Sequence, residues 1–336
     1  MDSLSPLTAA CLPVTPIVSI VTPCHNGLPY LHDMLASVAA QTLGGWEHIV
    51  VDDGSSDGSF EMLEATARCE PRLRIIRQRR GGVAAARKVG YAAASSSSTY
   101  VYFLDADDVI EAAMLETIIG YFESHPAVAV VFCDYRYIDT SGQLVETLRI
   151  PRYARTWYGA RELGANEPLT PLESIYAWAP VMESLSVIRR SAYDETRGWD
   201  ERVGQPGEGV DLFTEIALRH EVHFVNRPLY RYRRHREQAS NDSERLRRQD
   251  LRVQLKWRDR HDLSPEQRAR INSAQLFRMR TLRAHLAATG VFRYLARGEV
   301  RHAVHCGIEI GRTLVETMGR RSPWPTVTTS EIDDRV

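Results

Sequence analysis

Val101-Tyr102-Phe103-Leu104-Asp105-Ala106-Asp107-Asp108 carries an apolar run straight into three carboxylates within four residues. The run has the composition of a buried strand, and acids crowded at its end repel one another and cost folding energy unless a cation neutralises them. A hard divalent ion with oxygen ligands, carrying phosphates on its other face, is the natural partner. Taken alone, the cluster reads equally as a solvated acidic turn in which Asp108 caps the next helix. The surrounding chain is what weighs one reading against the other.

Upstream, Ile17 to Val21 is a short β-branched run, followed by Pro23 and Gly27 and then by Leu31, Leu35 and Val38 at helical spacing. Ile49-Val50-Val51 repeats the strand signal, ends in Asp52-Asp53-Gly54-Ser55, and precedes a helix from about Ser59. Leu73 to Ile76 is a third strand. Gly81-Gly82 then opens an Ala-rich helical segment, Val83 to Ala94, which Ser95 to Ser98 ends before the strand Tyr100 to Leu104. This alternation predicts an α/β fold with a mostly parallel sheet and helices on both faces. Downstream come a helix through Met114, Ile118, Ile119 and Phe122, and a strand from Ala127 to Phe132. Asp139-Thr140-Ser141-Gly142 is a hairpin turn between Tyr135-Arg136-Tyr137 and Leu144 to Leu148. Pro151 to Pro180 is irregular and rich in Tyr and Trp. From about Ser240 the composition shifts to helix formers with many arginines, and Ser264-Pro265-Glu266-Gln267 is a capping box that starts a new helix. Helices continue to about Met318, and the tail from Ser322 is expected to be disordered.

The 336 residues are 43% hydrophobic and 25% charged with a net charge of -1, which gives no reason to expect nucleic acid as a partner. Cys11, Cys24, Cys69, Cys133 and Cys306 are odd in number and scattered, so they read as free thiols. The first basic residue is Arg68, which argues against a secretory leader, and no apolar stretch is long enough to cross a bilayer. The expected location is cytoplasmic, with peripheral contact at the inner face of the membrane left open. Arg227 to Arg260 holds twelve Lys or Arg against five Asp or Glu, by default a solvated face.

In an open α/β sheet the ligand sits beyond the carboxyl ends of the strands. Thr22 to Asn26, Asp52-Asp53, Gly81-Gly82 and Asp105 to Asp107 all follow strands and should meet on one edge. Each has a mundane reading as turn chemistry, but four polar loops in register are better explained by a shared ligand.

These segments carry a resemblance. Val18-Ser19-Ile20-Val21-Thr22-Pro23-Cys24-His25-Asn26, then Ser37 to Thr42, then Ile49-Val50-Val51-Asp52-Asp53-Gly54-Ser55-Ser56-Asp57-Gly58, resemble the start of an inverting glycosyltransferase of family 2. Gly81 to Arg87 and Phe103 to Asp108 resemble the two motifs that follow, and the likeness extends from about residue 17 to residue 240. It implies a GT-A fold binding a nucleoside diphosphate sugar (UDP-, dTDP- or GDP-linked) with Mn or Mg. The acceptor would be a carbohydrate, lipid-linked or small-molecule hydroxyl. By position, Thr22 and Asp53 would contact the nucleobase or ribose, and Pro23 and His25 would wall the base pocket. Arg87 would lie near the base or phosphates, with Lys88 replacing a frequent Asn. Asp105 and Ala106 would meet the nucleotide, Asp105 would touch the ribose or metal, and Asp107 would ligate the metal. Pro228 to His235 also resembles the family, whose histidine there approaches the metal or diphosphate, so His235 is a third ligand candidate. An unremarkable structural histidine is the alternative for it.

The base for the acceptor hydroxyl is where the chain departs from the pattern. Gly198-Trp199-Asp200-Glu201 preserves the family's turn, but Gly207-Glu208-Gly209-Val210-Asp211-Leu212 places Gly209 at the position of the expected Asp. Glu208 is the first candidate for the base and Asp211 the second. The alternative is that both merely favour the start of a helix near Val210, where acids meet the positive dipole end. Gly209 also leaves open a catalytically degenerate partner subunit that binds nucleotide sugar or glycan. A dinucleotide-binding oxidoreductase is disfavoured because no Gly-x-Gly-x-x-Gly follows the first strand.

The expected organisation is a nucleotide-sugar-binding part over 1–112, an acceptor-binding part over 113–240, a helical extension over 241–320 and a tail over 321–336. Tyr153, Trp157, Tyr158, Tyr176 and Trp178 are able to stack on sugar rings or to serve as core. Leu282, Leu286, Phe292, Leu295, Val304, Ile308 and Leu314 should pack on the catalytic domain or on a second copy as a homodimer, with anionic lipid under the Arg-rich faces as a further option.

Overall fold

Val18–Cys24 (β1) and Trp46–Asp53 (β2) are buried along almost their whole length, as strands covered on both faces must be. The protein is described from a computed structural model covering residues 15–145, 172–178, 183–205, 207–236, 238, 242–279, 300 and 304. Leu28–Ala39 (α1), Ser59–Ala67 (α2) and Val83–Ala93 (α3) alternate with β2, Leu73–Gln78 (β3) and Tyr100–Phe103 (β4). These four strands run parallel in the order β3-β2-β1-β4. Gly90 lets α3 lie tightly on this sheet, because a Cβ there would overlap Val21 Cγ1 and stand 3.2 Å from Val51 Cγ2.

Beyond β4 the sheet becomes mixed. Ser186–Arg189 (β7) lies antiparallel between β4 and Val128–Ile138 (β6). β6 pairs in parallel with Glu221–Arg233 (β8), and Val109–Ile110 (β5) closes antiparallel on β8. The described residues thus form one sheet in the order β3-β2-β1-β4-β7-β6-β8-β5. β6 runs on to Ile138 through register shifts around Cys133 to Tyr135, longer than the expected strand. The turn of the expected hairpin forms, while residues 146–148 of its second arm lie outside the described residues. The Asp139 carboxylate accepts the Ser141 and Gln143 N–H groups, and Leu144 bridges back to Ile138.

Among the described residues the further helices are Met114–Ser124 (α4), Leu172–Trp178 (α5), Arg190–Asp194 (α6), Glu208–Ala217 (α7), Ser243–Arg258 (α8) and residues 265–279 (α9), with a 3-10 turn at Glu183–Leu185. The capping box holds: Ser264 N–H donates to Gln267 Oε1 at 3.1 Å and Gln267 N–H to Ser264 Oγ at 3.2 Å. Tyr176 is fully buried core rather than a stacking surface. Tyr153, Trp157 and Tyr158, and the apolar set from Leu282 to Leu314 apart from an exposed Val304, lie outside the described residues, as does the tail. Several arginines of the 227–260 run are paired rather than solvated: Arg231 with Glu111, Arg233 with Asp33, Arg260 with Glu215. Cys24, Cys69 and Cys133 are free, and no described helix is long and apolar enough to cross a membrane.

Candidate active site

The carboxyl ends of β1, β2, β3 and β4 share one edge, and the first three of the loops that leave them are hydrogen-bonded to one another. His25 Nδ1 meets the Asp53 carbonyl at 2.9 Å, Asn26 N–H donates to Ser55 Oγ, and Ser56 N–H donates to Asn26 Oδ1. The Asp53 carboxylate accepts Gln78 Nε2 and Gly81 N–H at 2.7 Å on one oxygen and Gly82 N–H at 2.8 Å on the other. Asp53 therefore fixes the glycine loop ahead of α3, while Pro23 and His25 stand half-buried at the end of β1. Ala106 packs against Gly27, joining the acidic loop to the first. Thr22, on β1, is fully buried and its hydroxyl bonds to His48 Nε2 at 2.9 Å. Burial pushes His48 down to about 3, which keeps the ring neutral in that bond.

The three acids of the opening stretch separate into three roles. Asp107 Oδ2 lies 2.9 Å from His235 Nε2, and the His235 ring packs on Tyr30 at 5.1 Å between centroids. Asp105 does not join that pair. Its oxygens take Arg87 Nη2 at 2.8 Å and Ser184 Oγ at 2.6 Å. Asp108 is not a helix cap but a buried anchor that accepts the Tyr230 hydroxyl and, at 2.6 Å, Arg233 N–H. Burial holds the Asp108 carboxyl well above the usual range, and Asp107 and Asp105 raise it further. Arg233, wholly buried, spans the loop from below: it donates to the Asp107 carbonyl at 2.7 Å, to the Asp139 carbonyl at 3.1 Å and to Asp33 Oδ2 at 2.9 Å.

Arg87 is the centre of the second cluster. Its guanidinium, 1% exposed, donates to Asp105 and to Glu208 Oε1 at 3.2 Å, stands 3.8 Å from Glu183 Oε1, and lies over the Trp199 ring at 4.5 Å. Burial opposes its charge, yet Asp105, Glu183 and Glu208 together hold it above the ordinary arginine value. Glu208, the expected base, is the first residue of α7 and only 1% exposed, and burial with Glu183 nearby pushes it up to about 7 against the pull of Arg87. Asp211, the second candidate, is committed elsewhere, to Lys256, which also holds Asp200. Gly209 is an ordinary helical residue and not one at positive φ. Glu183 enters the cluster from the turn before β7, and sequence reading overlooked it because only folding brings it to Gly209. Its one local signal is an acid placed at the threshold of a buried strand.

Comparison with known proteins gives a concordant result. The sequence profile described as Glycosyl transferase family 2 matches residues 19–196. EpsJ of Bacillus subtilis, named as a glycosyltransferase, is 40% identical over 101 residues, which span 30% of this chain and 29% of EpsJ. The glycosyltransferase GlyG of Streptococcus pneumoniae is 25% identical over 229 residues, 65% of this chain and 71% of GlyG. The alignment to EpsJ thus covers less than a third of that relative's length. Among solved structures, the mannosyltransferase PcManGT from Pyrobaculum calidifontis, in complex with GDP-Man and Mn2+, superposes with a TM-score of 0.60 at 17% identity, over 92% of this chain and 88% of that one. That likeness is one of fold, the GT-A arrangement.

Proposed function

The chain belongs to glycosyl transferase family 2, and from that premise we propose that it moves a sugar from a nucleoside diphosphate sugar to an acceptor hydroxyl, with inversion and with the help of Mn or Mg. The observation that carries this reading is the convergence of four strand-end loops on one edge, with Asp53 organising the glycine loop and Asp107 meeting His235. Among the described residues no three His, Cys, Asp or Glu side chains gather to hold an ion by themselves. Asp107 and His235 fit an ion completed by the donor's diphosphate and water, the way Mg2+ commonly binds with phosphates. When bound, such an ion neutralises the diphosphate as it leaves.

The chain's own residues divide the remaining work. Pro23 and His25 border the nucleobase, with His25 held by the Asp53 carbonyl. The glycine loop, fixed by Asp53, approaches the nucleotide. Asp105, oriented by Arg87 and Ser184, faces the ribose. Arg233 holds the Asp107 backbone, so the ligand's position is set by a buried cation rather than by a mobile loop. Inversion requires the acceptor oxygen to approach opposite the leaving diphosphate, and its proton needs a base. The GDP-Man and Mn2+ bound by PcManGT support a nucleotide-sugar donor here without choosing among UDP-, dTDP- and GDP-linked sugars.

The test is a melting scan with a panel of these sugars in Mn2+. One nucleotide class should stabilise the protein by about 2.7 kcal/mol at a hundredfold excess over its Kd. No shift with any donor, together with no release of nucleoside diphosphate, would refute the reading.

A further inference from the structure

Glu183 and Gly209 are far apart in sequence and occupy one place in the fold. A Cβ built on Gly209 overlaps Glu183 Oε1 and lies 2.5 Å from its Cδ, so this carboxylate and any side chain at 209 exclude each other. The Glu183 carboxylate also accepts the Gly209 N–H. It thus sits on the N-terminal end of α7, where Gly207 offers no capping side chain. The acids around Arg87 are not equivalent. Glu208 is closed to solvent and takes Arg87 at 3.2 Å, and Asp105 has both oxygens engaged by Arg87 and Ser184. Glu183 is 16% exposed and its pairing with Arg87 is the longest of the three, 3.8 Å.

We propose that Glu183 is the general base of this transferase, its carboxylate occupying the room that glycine at 209 leaves. The assignment rests on the transfer reading above. In the step, a Glu183 oxygen forms an O–H bond with the acceptor hydroxyl's proton while the acceptor oxygen bonds to the anomeric carbon. The bond from that carbon to the diphosphate breaks, its electron pair leaves with the diphosphate, and neutral Glu183 then returns the proton to solvent. Burial raises the Glu183 carboxyl above its usual range while Arg87 opposes the rise, the direction that strengthens a carboxylate as a base.

The experiment measures release of nucleoside diphosphate by the full chain from UDP-, dTDP- and GDP-sugars in Mn2+, with water as acceptor. Glu183→Gln keeps an oxygen for the Gly209 N–H, so a capping role would survive it. It should lower kcat by roughly two to four orders of magnitude, leave donor Kd unchanged and abolish the acidic limb of the pH–rate profile. Gly209→Ala should give the same loss by displacing the carboxylate, and formate should partly restore Glu183→Ala. Glu183→Gln within about threefold of wild-type kcat overturns the assignment alone and leaves Glu183 a helix cap. A wild type that cleaves no donor overturns the transfer reading itself and this assignment with it.

Discussion

Replacing Arg87 with Met removes one guanidinium and leaves Asp105, Glu183 and Glu208 around an apolar side chain of similar length. In the wild type that guanidinium makes charge-assisted hydrogen bonds of 2.8 Å to Asp105 and 3.2 Å to Glu208, and it approaches Glu183 at 3.8 Å. Taking one partner from a buried ion pair costs about 3–5 kcal/mol, because the other is left charged and desolvated. We expect a loss of that size at pH 7.5, read from urea unfolding followed by circular dichroism. The loss should shrink at pH 5.5. Burial already raises both glutamates in the wild type, Glu208 from 4.5 to about 7, and without Arg87 each should rise further. The folded variant then binds protons that the unfolded chain releases above about pH 4.5, so its stability falls as pH rises through this window and recovers on acidification. A loss below about 1 kcal/mol at pH 7.5, or one independent of pH, would show that the four groups are not a coupled charge cluster.

Two further substitutions probe the frame that carries the site. Gly90→Ala forces a methyl into Val21 and should destabilise the protein by about 1–3 kcal/mol in the same unfolding assay, whereas an unchanged midpoint would mean that α3 is free to shift off the sheet. Ser264→Ala removes the acceptor of the Gln267 N–H and should cost about 1 kcal/mol without changing donor binding; a silent substitution would mean that tertiary packing alone starts α9.

Much of the parallel half of the sheet was legible because its information is local. Val18 to Val21, Ile49 to Val51 and Val101 to Phe103 are continuous apolar runs that end in turn residues, and parallel pairing carries all their loops to one edge. The mixed half was not legible. Ser186–Arg189 is four residues long, and its antiparallel placement depends on partners more than fifty residues away in β4 and β6. The acidic stretch was read as one knot facing a cation, but residue type did not say which group serves which acid. Folding gives the Arg87 guanidinium to Asp105, two neutral donors, the Tyr230 hydroxyl and the Arg233 backbone N–H, to Asp108, and leaves Asp107 for His235. The same limit hid Glu183. Glycine at 209 was legible as a missing acid, while the acid that fills its space comes from another segment.

The central claim is that Asp107 and His235 hold the donor's diphosphate through a divalent ion. Calorimetric titration of UDP, dTDP and GDP into the wild type and Asp107→Ala, in Mn2+ and again in chelator, tests it most directly. One diphosphate should bind the wild type at least about a hundredfold more tightly in Mn2+, a difference of about 2.7 kcal/mol, and Asp107→Ala should lose most of that gain while melting as a folded protein. Equal affinity with and without Mn2+, or a full metal response in Asp107→Ala, would contradict the account.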